Sequence, residues 1–158
     1  MNSKEIKSVL MVCTGNICRS PTAEGVLRAR AEKAGLNLEI DSCGTQDYHV
    51  GEAPDRRSQQ HALKRGYDLS RQRARKFAAI DFNRFDLILA MDRSHLAALR
   101  AECPLPQRHK LQLFLDFGSL DKGGEVPDPY YGGDAGFERV LDLIEDAADG
   151  LISQLRST

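Results

Sequence analysis

The sequence predicts an α/β fold of the doubly wound type, a single three-layer domain over residues 1–158 with helices on both faces of a parallel sheet. Three observations predict it. Short apolar runs rich in β-formers alternate along the chain with stretches of helical periodicity. Strand, helix and strand follow one another within residues 8–43, which implies a right-handed βαβ unit and a parallel pair. Residues 86–91 (DLILAM) form a nearly continuous apolar run, the pattern of a strand buried on both faces.

Each element has a local reason. Residues 8–12 (SVLMV) read as the first strand and are followed by six loop residues, 13–18. Ser20 suits a helix N-cap and Pro21 the first helical position. The helix over 20–34 carries an apolar stripe of Ala23, Val26, Leu27, Ala31 and Ala34 and is closed by Gly35. Residues 38–43 (LEIDSC) read as the second strand, and 54–65 as a helix closed by Gly66. After the third strand, 86–91, Asp92 caps a helix running to Glu102, and the Cys103-Pro104-Leu105-Pro106 stretch breaks it. Residues 110–114 are the fourth strand. The Gly-, Asp- and Pro-rich stretch 116–133 reads as a long loop, of the kind that often carries function. The last helix, 135–155, places Phe137, Val140, Leu141, Ile144, Ala148, Leu151 and Leu155 on one side.

Composition narrows the function. The chain is 41% hydrophobic and 28% charged with a formal net charge of −1, which carries no footprint for nucleic acid or a membrane surface. No apolar run approaches the roughly 18 residues of a membrane span, and the N-terminal run is short and strand-like rather than a signal peptide. A cytoplasmic location is the expectation. The four cysteines, at 13, 18, 43 and 103, form no zinc-type pairs, so no metal and no cofactor are expected. The four scattered histidines receive no catalytic role.

Chemistry concentrates in the loop after the first strand, where Cys13 and Arg19 stand in the spacing Cys-x5-Arg-Ser. A loop wrapped over a helix N-terminus aims backbone N–H groups at one point, and the helix dipole adds partial positive charge. Such a nest fits a tetrahedral oxyanion. Thr14, Gly15, Asn16, Ile17, Cys18 and Ser20 would line it, and the planar fork of Arg19 would hold two phosphoryl oxygens. In that field the Cys13 thiol is expected to ionise below the reference pKa of about 8.5 and act as a nucleophile. The Ser20 hydroxyl would donate to the thiolate. This is not the nucleotide-binding loop, because Gly-x4-Gly-Lys-Ser/Thr is absent.

Residues 12–21 (VCTGNICRSP), with Asp128-Pro129-Tyr130-Tyr131 near the C-terminus, resemble the low-molecular-weight protein tyrosine phosphatases. The resemblance covers essentially the whole chain. It implies a sheet order of 2-1-3-4 and hydrolysis of phosphotyrosine and other aryl phosphate monoesters through a phosphocysteine intermediate. Asp128 would be general acid and then general base, protonated through burial beside an anion. Tyr48, Tyr130 and Tyr131 would wall the cleft around a phenyl ring. Asn16, in a left-handed conformation, and Ser42 would support the loop. Cys18 would trap oxidised Cys13 as a disulfide. Peroxide inactivation should then be fully reversed by thiol reductant in the wild type, and equally reversible inactivation in Cys18→Ser would exclude that role. Asp92 reads as a helix cap rather than a catalyst. Arg56, Arg57, Arg71, Arg73, Arg75 and Lys76 form a basic stretch, read first as a solvated face and second as a funnel for acidic phosphopeptides. Gln72 stands where many relatives carry a loop-supporting histidine.

The implied partners are phosphotyrosine-containing proteins, a tyrosine kinase among the candidates, acted on by a monomer or weak dimer. Three other readings share the loop. Arsenate reductases of this fold need a further close cysteine pair, which Cys43 and Cys103 do not make. Protein-arginine phosphatases typically carry Thr where this chain has Ile17. A non-catalytic phosphopeptide-binding module would lack the nucleophile or acid, yet Cys13, Arg19 and Asp128 are all present.

Overall fold

The computed structural model describes residues 6–129 and 133–156. Four strands, β1 (Ser8–Cys13), β2 (Glu39–Gly44), β3 (Leu87–Ala90) and β4 (Leu111–Leu113), form one parallel sheet in the order β2-β1-β3-β4. The parallel pairing is that expected from the sequence pattern, and the order is that implied by the family resemblance. The principal helices are α1 (Arg19–Lys33), α2 (Arg56–Lys64), the one-turn α3 (Asp81–Arg84), α4 (Arg93–Glu102) and α5 (Gly133–Arg156).

The two-residue period of the strands divides the core. Val9, Met11, Leu87 and Leu89 point into one cluster with Val26 and Leu27 of α1 and Leu141, Ile144 and Leu151 of α5. Leu10, Val12, Ile88 and Ala90 point into a second cluster with Phe82, Phe85 and Leu99 of α4. This explains why β3 is apolar at every position: all four of its residues are fully buried, alternately against the two faces. Burying a Leu or Ile side chain stabilises by about 1.5–3 kcal/mol, so β1 and β3 are a stiff base for whatever their carboxyl ends carry.

Several boundaries differ from expectation. The first helix begins at Arg19, so Ser20 lies within it rather than capping it. The reason is local: the Ser20 hydroxyl is engaged with Cys13 Sγ and Asn16, while Thr22 Oγ1 donates to the Cys18 carbonyl and closes the first turn. Pro21 is tolerated at the third position because first-turn N–H groups have no intrahelical partner. Asp55 caps α2, its carboxylate accepting from the Arg57 and Ser58 amides, so the expected helix 54–65 starts two residues late. Asp92 caps α4 through the His95 amide. The expected loop 116–133 is bounded by a 3-10 turn, Phe114–Phe117, and by α5, which begins at Gly133. The helix α3 and the 3-10 segment Leu105–Lys110 are too short for periodicity to reveal. No helix among the described residues is long and apolar enough to cross a membrane.

Candidate active site

Residues Cys13–Cys18 leave the carboxyl end of β1 and wrap over the N-terminus of α1, where ligands of open α/β sheets bind. The loop is held from outside by its carbonyls. Thr45 N–H donates to the Cys13 carbonyl, Gln46 N–H to Thr14 and Asp55 N–H to Ile17. Carbonyls engaged on the outside suit an anion nest, which requires the amide N–H groups to face the hollow. Glycines permit the close approach. A Cβ on Gly44 would stand 2.5 Å from the Thr14 carbonyl oxygen, and one on Gly15 would stand 2.9 Å from the His49 ring.

Asn16 is the hinge of the loop, at φ 58 in the left-handed region. Its Nδ2 donates to Ser20 Oγ at 2.8 Å and to Ser42 Oγ at 2.9 Å, and its Oδ1 accepts from the Arg75 amide at 3.0 Å. Ser42 Oγ in turn donates to Glu24 Oε1 at 2.7 Å. The Glu24 carboxylate takes the Ser42 proton, so Ser42 must accept from Asn16. Ser20 Oγ also accepts from Asn16, so its own proton has two acceptors in reach, Cys13 Sγ at 2.9 Å and the more distant Cys43 carbonyl at 3.4 Å. Burial raises the Glu24 pKa, against hydrogen bonds from Ser42 and Arg28.

Arg19 is almost fully buried. Its Nη1 donates to Asp92 Oδ2 at 2.8 Å and to the Val126 carbonyl at 3.0 Å. Its Nη2 lies 3.5 Å from His95 Nε2 and 4.0 Å from Asp128 Oδ2. The buried guanidinium is thus compensated on one side and directed toward the cavity on the other. Burial alone would raise the Asp92 pKa; hydrogen bonds from Ser94, Arg19 and the His95 amide outweigh it and bring it down to about 2. The Asp reading as a cap was therefore incomplete, since one carboxylate caps α4 and anchors Arg19.

His95 was given no role from the sequence, yet its ring is 2% exposed directly behind the loop, with Nε2 2.7 Å from Thr14 Oγ1. Because Arg19 can only donate, the geometry suits an Nε2 that accepts and an Nδ1 that carries the proton, 3.1 Å from Asp92 Oδ1 but poorly aligned for a hydrogen bond. Burial first, and the Arg19 cation second, push the His95 pKa down to about 4. The folded state then resists a proton that the unfolded chain accepts near pH 6.5, so stability falls as pH drops from about 6.5 to about 4. The loss is expected to be about 3 kcal/mol at the low end. Thermal melts of wild type and His95→Asn across this range check it: the variant should lack that part of the acid destabilisation, and parallel curves would refute it. The signal was available in sequence, as Asp92 and His95 are an i, i+3 pair immediately after a strand's carboxyl end.

The hollow is a cavity of about 330 Å³ lined by Cys13, Thr14, Gly15, Ile17, Cys18, Arg19, Tyr48, His49 and Asp128. Cys13 lies at its base, buried. Cys18 is also buried, and burial pushes its thiol up to about 12 despite an opposing hydrogen bond with Ser58. Tyr48 stands on the rim, 69% exposed. Asp128 departs from expectation: its side chain is 55% exposed rather than buried, because the segment is anchored in the core at Val126 and again at Pro129 and turns outward between them. Its carboxylate still faces the same opening as Arg19. Tyr130 and Tyr131 lie outside the described residues. Of the basic stretch, Arg75 is structural, pairing with Asp41 and Asp81, and Arg73 donates to the Ser70 and Gln72 carbonyls. Gln72 Nε2 donates to the Pro21 carbonyl at 2.9 Å and so buttresses the first turn of α1.

The family model for low molecular weight phosphotyrosine protein phosphatase matches residues 8–158. The chain is 49% identical over 150 residues to a putative low molecular weight protein-tyrosine-phosphatase of Synechocystis, covering 93% of this chain and 95% of that one. It is 46% identical over 153 residues to a low molecular weight protein-tyrosine-phosphatase of Streptomyces coelicolor, covering 94% and 93%. Among solved structures, a protein tyrosine phosphatase of Entamoeba histolytica with Hepes in its active site superposes with a TM-score of 0.92 at 40% identity, covering 96% of this chain and 97% of that one. The family model spans residues 8–158 and the relatives cover more than nine tenths of the chain, and the chain belongs to the family of low-molecular-weight phosphotyrosine protein phosphatases.

Proposed function

We propose that Cys13 is the nucleophile, Arg19 the phosphate clamp and Asp128 the general acid and base of phosphotyrosine and aryl phosphate hydrolysis. The observation that carries this reading is the convergence of the three on one cavity, with Cys13 Sγ at its base, 2.9 Å from the Ser20 hydroxyl, and Asp128 at its mouth, 4.0 Å from Arg19. A phosphoryl group seated on the loop amides places its phosphorus above the sulfur and its ester oxygen toward Asp128. Thr14, Gly15, Ile17 and Cys18 form the seat, held in shape from behind by Asn16, Ser42 and Ser20.

The thiolate attacks phosphorus, and the S–P bond forms as the O–P bond breaks. Asp128 gives its proton to the leaving phenolate oxygen, and Arg19 with the amides takes the charge on the equatorial oxygens. Asp128 then removes a proton from water, which attacks the phosphocysteine and releases phosphate. The Ser20 hydroxyl donates to the departing thiolate. Positive charge comes from Arg19 and the amides, so the mechanism asks for no metal. The same reading makes Cys18 the thiol that captures oxidised Cys13, and places the enzyme as a monomer or weak dimer in a reducing cytoplasm, acting on phosphotyrosine proteins with a tyrosine kinase among them.

A base set this deep favours a substrate whose phosphate extends beyond an aromatic ring, and Tyr48 on the rim offers that ring a face. Hydrolysis of matched peptides bearing phosphotyrosine, phosphoserine or phosphoarginine tests it. The expected kcat/KM for phosphotyrosine exceeds the others by about two orders of magnitude or more. Equal rates on phosphoserine, or faster turnover of phosphoarginine, would overturn the substrate assignment.

A further inference from the structure

We infer that His61 of α2 is a positioning residue for the acid-bearing loop, gripping the first turns of α5 so that they seat Pro129, and with it Asp128, over the cavity. This rests on the reading of Asp128 as the general acid.

The geometry forms a continuous path. His61 is buried, with Nδ1 against Glu138 Oε2 and Nε2 3.2 Å from Asp134 Oδ1. Its ring stacks on Phe137 at 5.4 Å between centroids and 3° between planes. One imidazole therefore holds three residues of α5 spaced i, i+3 and i+4, one face of its opening turns. Between them lies Gly136, where an added Cβ would stand 3.9 Å from Pro129 Cα, so that turn packs directly against the residue following Asp128. Pro129 is itself buried while Asp128 is exposed. The acid thus projects from a proline whose support is the turn His61 holds.

A plain folding role is the alternative, and other groups already serve it. Arg65, which caps the C-terminus of α2, pairs with Glu138, Asp142 and Glu145 and fastens α5 further along its length. Arg65 first, and His61 second, hold the Glu138 carboxyl below the usual range. His61 reaches both Asp134 and Glu138 on the turn that touches Pro129, while Arg57 of the same helix places its guanidinium over the Phe137 ring, 4.8 Å from the centroid. Removing it should loosen the acid while leaving the thiol, the loop and Arg19 in place, because the hydrogen bonds and ring stacking of His61 are directed to α5.

Leaving-group dependence separates the two roles. Dinitrophenolate departs without protonation, whereas phenolate needs the acid. We would measure kcat/KM for phenyl phosphate and 2,4-dinitrophenyl phosphate in wild type, His61→Ala, His61→Gln, Asp134→Asn and Asp128→Asn. The expected result is a roughly ten-fold fall in the phenyl to dinitrophenyl ratio for His61→Ala. Partial rescue is expected in His61→Gln, whose amide can still donate to a carboxylate. Asp134→Asn, which alters an exposed carboxylate and keeps the fold secure, should shift the ratio the same way by a smaller factor. Rates for both esters falling in equal proportion, or an unchanged ratio in the His61 and Asp134 variants, would overturn the inference. A ratio unchanged in Asp128→Asn would instead overturn the general-acid reading, and this inference with it.

Discussion

Cys13→Ser is expected to lower kcat on p-nitrophenyl phosphate by at least about four orders of magnitude, while binding of inorganic phosphate changes only a few-fold. The asymmetry follows from how the site is built. A serine hydroxyl ionises far above neutral pH and is a far weaker nucleophile than a thiol, so the substitution leaves no group able to attack phosphorus. The anion seat is independent of the sulfur. It is made by backbone held through the Thr45, Gln46 and Asp55 amides, and by an Arg19 fixed by Asp92 and Val126. Turnover and phosphate competition measured on the same preparation check both halves. Residual activity above about a hundredth of wild type would remove Cys13 from the chemistry. Loss of phosphate binding would mean that the sulfur also shapes the seat.

Asp128→Ala is expected to reduce kcat/KM for phenyl phosphate by two to three orders of magnitude and that for 2,4-dinitrophenyl phosphate by only a few-fold. A carboxylic acid opposite the nucleophile matters in proportion to how poor the leaving group is. The exposed position of Asp128 in this structure is compatible with that work, because catalytic contacts often tighten only around bound substrate. An aryl ester in the mouth would shield the carboxyl from water on the cavity side. The plot of log kcat/KM against leaving-group pKa is the measurement: a slope steeper than that of wild type is predicted, and parallel lines would contradict the assignment.

What could be read from the chain before its structure follows from which interactions are local. Cys13, Arg19, Asn16 and Ser20 lie within eight residues of one another, and a strand, a turn and a helix start specify their arrangement through nearby backbone geometry. The parallel sheet was legible because β1 and β3 are largely apolar on both faces and alternate with helical stretches, while its strand order came only through the family resemblance. What stayed hidden depends on distant segments. His95 meets Thr14 only after β3 is laid beside β1, and Val126 reaches Arg19 across the whole domain. Glu24 received no reading from the sequence; it is buried, with Ser42 donating to it from β2. The burial expected of Asp128 was wrong for a related reason: flanking prolines fix local backbone direction but not how far a loop sinks into the cavity. Ser20 shows a local rule overruled, since an N-cap residue was recruited to face the sulfur and the helix began one residue earlier.

Covalent trapping tests the central claim most directly. Acid quench during turnover of a radiolabelled aryl phosphate, followed by digestion and peptide mapping, should place one phosphoryl group on the peptide containing Cys13, in a bond with the lability of a thiophosphate ester, and none in Cys13→Ser. Label on any other residue, or a burst of phenol with no protein-bound phosphate, would contradict the account.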